Sequence, residues 1–245
     1  MSIVFGEVAG LYDRARRDYP PQLADLVLAY AGRSPAGAAE VGAGTGKGTA
    51  LFADRGFPIT CIEPDARMSE LLAARFPAVR IVTSAFEDWS PPPGGVDLLF
   101  AVMAWHWVDP GRRAGLAAAA LAPGGALALI GRRSQHRDAA LEEEIQQAFH
   151  TFGPASGDRP PLPEWAVPEL RAIPSLTDLT VEELGEEVEM TTDVYLDQLQ
   201  TLSPFRRRTP ENQGKLLAAL RARIDARGGT LHFRTLTSLV LARKV

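Results

Sequence analysis

The sequence predicts a doubly wound α/β fold, in which helices cover both faces of a mostly parallel sheet. Short segments that are apolar throughout alternate with segments whose apolar residues recur at helical spacing. Strands without polar alternation are typical of parallel sheets that are buried on both faces. At 245 residues, the chain is long enough for one domain of this kind with an inserted segment.

The predicted elements follow one another in regular order up to residue 131. The first helix, QLADLVLAYAG, begins at Gln22 and ends at Gly32, a residue type that is common at helix C-termini. Strands are predicted at 38–41, 59–63, 79–84, 96–102 and 125–131, and helices between them at 49–56, 65–76 and 110–122. This alternation is that of repeated β–α units, whose strands lie parallel.

The pattern changes after residue 134. A helix is predicted over 138–152, whereas the proline-rich segment 153–174 is predicted to lack regular structure. A strand over 186–192, helices over 193–202 and 210–227, and a strand over 230–244 complete the chain. We therefore expect one domain over 1–245, with an N-terminal arm and helix at 1–32, a ligand-binding core at 33–133, a lid with strand six at 134–205, and a last helix and strand at 206–245.

Composition narrows the function classes. The net charge of −4 gives no basic surface for nucleic acid, and no apolar run reaches the roughly 18–20 residues that span a bilayer. The first residues lack the order of charges and apolar residues found in a signal peptide. The single cysteine, Cys61, cannot form an internal disulfide, and no Cys/His cluster indicates a metal site. We expect a cytoplasmic protein with no metal and no nucleic-acid or membrane partner.

The stretch EVGAGTGKGTALF (40–52) contains a glycine-rich loop directly after the first strand. A phosphate-binding loop of the Walker A type requires glycine at position 41 and Ser or Thr at position 48, but Val41 and Gly48 stand there. The dinucleotide pattern G-x-G-x-x-G requires glycine where Lys47 stands. Both patterns are therefore excluded, and we expect the Lys47 side chain to point to solvent.

The pattern that remains is an acidic residue, an apolar residue and G-x-G-x-G, from Glu40 to Gly46. It resembles the first motif of the class I S-adenosylmethionine-dependent methyltransferases. LAPGGALAL (121–129) resembles the turn that leads into strand five of that family, and VAGLYDRARRDYP and AVMAWHWVDP resemble its small-molecule branch (methyltransferase type 11, trans-aconitate methyltransferase-like). The resemblance implies a Rossmann-like sheet with an antiparallel last strand, a helical lid after strand five, S-adenosylmethionine as cofactor and a small-molecule methyl acceptor.

Glu63 ends the second strand about 20 residues after Gly42, where a carboxylate can accept hydrogen bonds from ribose hydroxyls. The resemblance implies that the segment after strand three lies against adenine, with Glu87 or Asp88 as its acidic residue. The full set of candidate cofactor-binding residues is Tyr12, Arg16, Glu40, Val41, Gly42, Ala43, Gly44, Gly46, Glu63, Pro64, Ser84, Ala85, Phe86, Ala101 and Met103.

Methyl transfer is an in-line displacement to which a protein contributes mainly proximity and alignment, with a base only where the acceptor carries a proton. His106, in the loop after strand four, is the candidate base. Alternatively, His106 only forms part of the wall of the cofactor pocket. Trp105, Trp107 and Tyr195 are candidates for the acceptor pocket. The remaining histidines show no spacing that indicates catalysis.

Three other functions stay open at this point. A nicotinamide-dependent oxidoreductase would share Glu63, a nucleic-acid methyltransferase would share the fold, and a catalytically silent protein could bind the same cofactor for regulation. The failed dinucleotide pattern counts against the first of these, and the Ala104–Trp107 sequence after strand four counts against the second. The acceptor atom is not determined, and we expect a monomer or a homodimer.

Overall fold

The computed structural model describes residues 6–153 and 163–245. Its strands are β1 (Ala38–Val41), β2 (Ile59–Ile62), β3 (Arg80–Val82), β4 (Val96–Val102), β5 (Leu121–His136), β6 (Leu176–Thr191) and β7 (Thr230–Lys244). Its helices are α1 (Ala9–Ala15), α2 (Gln22–Ala31), α3 (Ala66–Arg75), α4 (Arg113–Ala120), α5 (Ala139–Thr151), α6 (Val167–Arg171), α7 (Thr192–Gln200), α8 (Ser203–Arg206) and α9 (Pro210–Asp225).

These strands form one sheet in the order β3-β2-β1-β4-β5-β7-β6. The pairs from β3 to β5 are parallel, and Glu40 of β1 lies opposite Cys61 of β2 and Phe100 of β4. β7 runs antiparallel to both β5 and β6. The predicted mostly parallel, doubly wound sheet with an antiparallel last strand is thereby confirmed.

The sheet separates two apolar cores because consecutive side chains of a strand point to opposite faces. Leu99 of β4 packs into the core that contains Ala117 of α4, whereas the neighbouring Leu98 packs into the core that contains Val27 of α2. All three of the leucine and valine side chains are fully buried. A third cluster lies outside the parallel part of the sheet, among α5, α7, α9 and the ends of β6 and β7.

β5 and β6 are longer than predicted, at 16 residues each. The pairing of β5 with β7 continues to His136 opposite Phe233, and that of β6 with β7 continues to Thr191 opposite Thr230. The expected boundary at residue 133 therefore falls inside β5. Residues 134–136 and 176–191 of the predicted lid segment extend the sheet, and the lid helices pack on this extension.

Two further segments differ from the prediction. The segment 49–56 forms a 3-10 turn over Thr49–Leu51 rather than a helix. Leu51 and Phe52 are both buried, although adjacent residues of a regular helix point about 100° apart. The segment 153–174 contains the short helix α6, and its residues 154–162 lie outside the described part of the chain. Among the described residues, no helix is both long and apolar enough to cross a membrane.

Candidate active site

A cavity of about 640 Å³ opens at the carboxyl ends of β1 and β4, where the order of the strands reverses. Open parallel sheets bind ligands at this point because the loops after the two strands lead away in opposite directions. A Cβ added to Gly42 would lie 2.6 Å from the Cβ of Ala104. Glycine at position 42 thus allows the loops after β1 and β4 to meet at the floor of the cavity.

The predicted site residues fall into two groups. Those that line the cavity are Tyr12, Arg16, Val41, Gly42, Gly44, Glu63, Pro64, Ala85, Phe86, Met103, His106, Trp107 and Tyr195. Those that do not line it are Glu40, Ala43, Gly46, Ser84, Ala101 and Trp105. The structure therefore brings the glycine loop, the end of β2, the segment after β3 and the N-terminal arm around one space.

The glycine loop depends on backbone conformations that side chains disfavour. Gly42, Gly44 and Gly46 have φ angles of 66°, 57° and 89°. Gly44 faces the cavity, whereas a Cβ on Gly46 would lie 2.6 Å from Phe76 and 2.7 Å from Leu72. Gly46 therefore permits the loop to pack against Leu72 of α3 and against Phe76, the residue after α3; its predicted contact with a cofactor stays a prediction.

Glu63 joins the loops after β1 and β2. Its Oε2 accepts a hydrogen bond from the backbone N–H of Gly44 at 2.8 Å, and its Oε1 accepts one from the N–H of Asp65 at 3.0 Å. Burial raises the pKa of Glu63, while these two backbone N–H groups act to lower it. Each carboxylate oxygen has two lone pairs, so Glu63 can hold both loops and still accept hydrogen bonds from a ligand in the cavity.

Glu40 lies beneath the glycine loop and is only 1% exposed. The hydroxyl of Thr49 donates to its Oε2 at 2.5 Å. Burial raises the pKa of Glu40 to about 8, against the opposite effect of the Thr49 hydrogen bond. Glu40 does not line the cavity, and it supports the loop from below; its predicted contact with a cofactor stays a prediction.

The segment after β3 forms one side wall. Ala85, Phe86 and Glu87 line the cavity, whereas Asp88 does not; which of Glu87 and Asp88 is the acidic residue beside adenine stays a prediction. The Oε1 of Glu87 accepts a hydrogen bond from the backbone N–H of Asp109 at 2.8 Å. This bond fixes the wall to the loop that follows β4.

Ser84 and Trp105 are placed behind this wall. The Ser84 hydroxyl is buried and has no hydrogen-bond partner among the described residues. Trp105 is 3% exposed and belongs to the apolar core, with its ring 6.2 Å from that of Phe86. The indole therefore supports Phe86 from the core side and lies outside the predicted acceptor pocket.

Met103 follows β4 with a φ of 55°, which is uncommon for a residue with a side chain. Its N–H donates to the carbonyl of Ile130 at 2.8 Å, and its Sδ accepts a hydrogen bond from the N–H of Arg132 at 3.0 Å. These contacts with β5 hold the conformation and keep Met103 in the cavity wall, as strained residues at binding sites require.

His106 and Trp107 lie in the 3-10 turn that follows and line the cavity together, with ring centroids 4.8 Å apart. Burial, and to a lesser extent the charge of Arg113, lower the pKa of His106 to about 4. The imidazole is therefore neutral at pH 7. A neutral imidazole can accept a hydrogen bond or a proton, although its low pKa makes it a weak base.

The N-terminal arm closes one side of the cavity. The Nε of Arg16 donates to the hydroxyl of Thr201 at 2.8 Å, and its guanidinium lies over the ring of Tyr12, 5.1 Å from the centroid. Arg132 of β5 lies 4.1 Å from the ring centroid of Tyr19 and donates to the backbone carbonyl of Asp18. The arm is thus attached both to the lid and to the sheet.

Lys47 does not point to solvent as predicted, since its side chain is 14% exposed. Its Nζ lies 2.9 Å from Asp18 and 4.0 Å from Asp13, and Arg75 lies 3.1 Å from Asp13. The hydrogen bond from Lys47 lowers the pKa of Asp18. The lysine of the glycine loop therefore fastens the arm over the cavity.

A second part of the cavity, here called the lid side, is formed by the ends of β5, β6 and β7 and by α5, α7 and α8. Tyr195 lies here, as do His136 and Glu142, which sequence reasoning missed. The contact between His136 and Glu142 joins the end of β5 to the first turns of α5, and no sequence pattern indicates this contact. Among the described residues, no group of three His, Cys, Asp or Glu side chains could hold a metal ion.

Comparison with known proteins gives a consistent result. A family described as a methyltransferase domain matches residues 38–125. An uncharacterized methyltransferase of Mycobacterium tuberculosis is 34% identical over 164 residues, which are 67% of this chain and 66% of that protein. The aligned part thus falls just short of two thirds of the relative. A protein of the same description from Mycobacterium bovis matches to the same extent.

Solved structures support the fold. A putative type II methyltransferase from Anaeromyxobacter dehalogenans superposes with a TM-score of 0.65 at 22% identity, covering 93% of this chain and 97% of that one. Phosphoethanolamine N-methyltransferase 2 of Haemonchus contortus, solved with S-adenosyl-L-methionine, gives a TM-score of 0.56 at 14% identity and covers 98% of this chain and 57% of that one. At sequence identities this low, the similarity to these structures shows the fold alone.

Proposed function

Because the chain belongs to the class I S-adenosylmethionine-dependent methyltransferase family, we propose that it transfers a methyl group from S-adenosylmethionine to a small-molecule acceptor. One observation supports this most directly. A single cavity joins a part that suits a nucleoside, beside Glu63, to the lid side beneath α5, α7 and α8. A cofactor and a second small molecule could therefore meet in it.

The residues around the strand reversal fit S-adenosylmethionine. Glu63 would accept hydrogen bonds from the ribose hydroxyls, and Ala85 and Phe86 would lie against adenine. Arg16, in the arm, would face the carboxylate of the methionine part. The only lysine of the glycine loop is held by Asp18 and Asp13, so the loop has no cation that could grip a phosphate. A nucleoside without phosphate therefore suits this site better than a nucleotide.

When bound, S-adenosylmethionine supplies a methyl group activated by a sulfonium. The protein would contribute enclosure and alignment. The arm and the lid would exclude water, and Met103 and Trp107 would form the wall between the two parts of the cavity. His106, neutral at pH 7, would accept a hydrogen bond or a proton from an acceptor that carries one. Alignment remains the dominant contribution in this proposal.

Two proteins of similar fold support a small acceptor, because each was solved in complex with a small molecule. They are the Haemonchus contortus phosphoethanolamine N-methyltransferase, with phosphomonomethylethanolamine, and a geranyl diphosphate methyltransferase, with GPP and sinefungin. The net charge of −4 gives no support to a nucleic-acid acceptor. Cytoplasmic location and a monomeric or homodimeric state stay predictions.

Calorimetric titration with S-adenosylmethionine, S-adenosylhomocysteine, NADH and ATP tests the cofactor. We expect both sulfur nucleosides to bind and the other two to fail at millimolar concentration. Binding of NADH alone would contradict the proposal. Catalysis is tested by incubating the protein with isotope-labelled S-adenosylmethionine and a small-molecule extract, followed by mass spectrometry. Absence of any labelled product while the cofactor binds would favour the catalytically silent alternative.

A further inference from the structure

Arg113, at the start of α4, has a guanidinium that is almost fully enclosed. Its side chain is 6% exposed, and the residue does not line the cavity. Its Nε and Nη2 donate to the two carboxylate oxygens of Glu169 in α6, with the Nε bond at 2.7 Å. Its Cζ lies 4.1 Å from the ring centroid of Trp165. A charge buried in this way is costly unless its donors are paired, and the Glu169 carboxylate accepts from two of the three nitrogens.

The third nitrogen of Arg113 contacts the 3-10 turn that follows β4. Nη1 donates to the carbonyl of Trp105 at 3.2 Å and to that of Val108 at 3.3 Å. These carbonyls belong to the residues directly before and after His106 and Trp107, which line the cavity. Hydrogen bonds within a 3-10 turn have poor geometry. A donor from outside the turn therefore helps to stabilise its conformation.

Arg243 of β7 makes comparable contacts in another part of the molecule. Its guanidinium donates to the backbone carbonyls of Tyr30 in α2 and Gly124 in β5, and it lies 4.7 Å from the ring centroid of Tyr30. None of these three residues lines the cavity, and the Arg243 side chain is 30% exposed. Arg113 differs from Arg243 in its deeper burial and in its contact with a turn that forms the cavity wall.

We propose that Arg113 and Glu169 form a positioning pair, which holds the turn so that His106 and Trp107 keep their places in the cavity wall. A guanidinium is planar, and its N–H groups have fixed directions. Because the carboxylate of Glu169 holds Nε and Nη2, the direction of Nη1 is fixed as well, and with it the position of the turn. The inference rests on the proposed function and adds to it two residues that touch neither cofactor nor acceptor.

The positive charge of Arg113 acts on the same imidazole. Burial is the main cause that lowers the pKa of His106 to about 4, and the charge of Arg113 is the second. The guanidinium therefore fixes the turn and also helps to keep the imidazole unprotonated at pH 7. Lysine would retain the charge but has no planar fork of donors, so Arg113→Lys tests the positioning separately from the charge.

The test uses the full chain without ligand, labelled with ¹⁵N-histidine and ¹⁵N-tryptophan. The substitutions His106→Ala and Trp107→Phe assign the imidazole and indole signals in nuclear magnetic resonance spectra. In Arg113→Lys we expect both signals to shift or to split, because the turn is no longer held in one position. The imidazole signals of His232, which is 58% exposed, should stay unchanged.

Two further variants show whether the effect belongs to the pair. Glu169→Gln keeps the shape of the side chain but places an amide NH₂ where the guanidinium requires an acceptor, so it should shift the same signals by a smaller amount. Arg243→Lys removes a comparable guanidinium and should leave both signals unchanged. Thermal melting checks that each variant is folded, and Glu169→Gln decides the result if Arg113→Lys does not fold.

The effect on the reaction is measured by the transfer of label from isotope-labelled S-adenosylmethionine to a small-molecule extract. We expect transfer to fall at least roughly fivefold in Arg113→Lys, because small displacements at a reacting site are costly. The affinity for S-adenosylhomocysteine, measured by calorimetry, should fall less than about twofold, since Arg113 contacts neither Glu63 nor the glycine loop. Arg243→Lys should change neither quantity.

Unshifted His106 and Trp107 signals in the folded variants would overturn the proposal. An equal shift of the His232 signals, the same effect from Arg243→Lys, or equal losses of transfer and of cofactor affinity would also overturn it. Failure of the unaltered protein to bind S-adenosylhomocysteine or to transfer label would instead contradict the proposed function, while the signals of the ligand-free protein still test the positioning pair.

Discussion

The Nζ of Lys47, in the glycine loop, lies 2.9 Å from Oδ1 of Asp18, in the N-terminal arm. The loop that forms the floor of the cavity is therefore also bonded to the arm that covers the cavity. Asp13 and Arg75 extend the contact to α3. The side chain of Asp18 is 64% exposed, and attraction between exposed charges is weak and sensitive to salt. We therefore expect the Lys47–Asp18 contact to hold the arm weakly and in a salt-dependent way.

Lys47→Met should speed the release of S-adenosylhomocysteine roughly two- to fivefold, since an ion pair with one exposed partner, here Asp18, contributes on the order of 0.2–1 kcal/mol. Stopped-flow displacement at low and high salt measures the rate, and the difference from the unaltered protein should shrink as salt rises. Lys215→Met is the matched control, because Lys215 pairs with Glu211 within α9. Identical release rates for the two variants would show that the Lys47 contact does not hold the arm.

Glu63→Gln should weaken binding of S-adenosylmethionine at least tenfold, or about 1.4 kcal/mol. Both oxygens of Glu63 accept hydrogen bonds from backbone N–H groups, so an amide NH₂ would meet a donor on one side. Calorimetry measures the dissociation constant, with Glu70→Gln on the exposed side of α3 as the control. Unchanged affinity in a folded Glu63→Gln protein would remove Glu63 from the ribose site.

Gly46→Ala should lower the free energy of unfolding by roughly 1–3 kcal/mol more than Gly56→Ala, the range expected for an overpacked site. Both glycines have positive φ angles, 89° and 82°, but only at Gly46 would a Cβ meet other side chains within 4 Å. Denaturant unfolding of the two variants gives the comparison. Equal losses would mean that Phe76 and Leu72 move aside at no cost.

The parallel half of the fold could be predicted because its signals are local. β1 and β4 were predicted at their observed bounds, since each is a largely apolar run, with Glu40 and Asp97 as the exceptions, that ends at a change in composition. Glu63 was predicted to lie beside the glycine loop, and it does so because β1 and β2 are neighbouring parallel strands; its role in cofactor binding stays a prediction. The methyltransferase family, which followed from the same motifs, is confirmed by the methyltransferase-domain match and the mycobacterial relatives.

The remainder depends on contacts between distant parts of the chain. The role of Lys47 requires Asp18, 29 residues away, and the position of Arg132 requires Asp18 across 114 residues. β6 was predicted only near its end, because its burial comes from pairing with β7 rather than from an apolar sequence. Trp105 packs in the core and Trp107 lines the cavity, and no local pattern tells which of two tryptophans separated by one residue faces the core.

Glu40 should make stability depend on pH. Burial raises the pKa of Glu40 from 4.5 to about 8, so between these values the folded protein binds a proton that the unfolded chain does not. The free energy of unfolding contributed by this group is therefore greatest below pH 4.5 and falls as pH rises to about 8, by at most about 1.4 kcal/mol per pH unit.

Glu40→Gln removes this titration and should flatten the decline between pH 5 and pH 8, a window that lies inside the shift from 4.5 to about 8. Urea unfolding of both proteins across the window measures the difference, which isolates Glu40 from the other titrating groups. Glu70→Gln, on the exposed side of α3, should follow the unaltered protein. Parallel profiles for Glu40→Gln and the unaltered protein would show that the buried carboxyl does not hold its proton.

His106→Ala should lower kcat at least tenfold while changing the affinity for S-adenosylmethionine less than twofold, if the imidazole accepts the proton of the acceptor. General-base groups contribute about 10²–10⁴-fold, and the low pKa of His106, about 4, places it at the lower end of that range. A base that is already deprotonated at pH 7 also predicts that kcat stays level from neutral pH down to about pH 5 and falls below pH 5.

His150→Ala, on the exposed side of α5, is the control for His106→Ala. Equal losses in kcat and in cofactor affinity would make His106 a wall of the cofactor pocket, because a residue that only shapes the pocket affects binding as much as turnover.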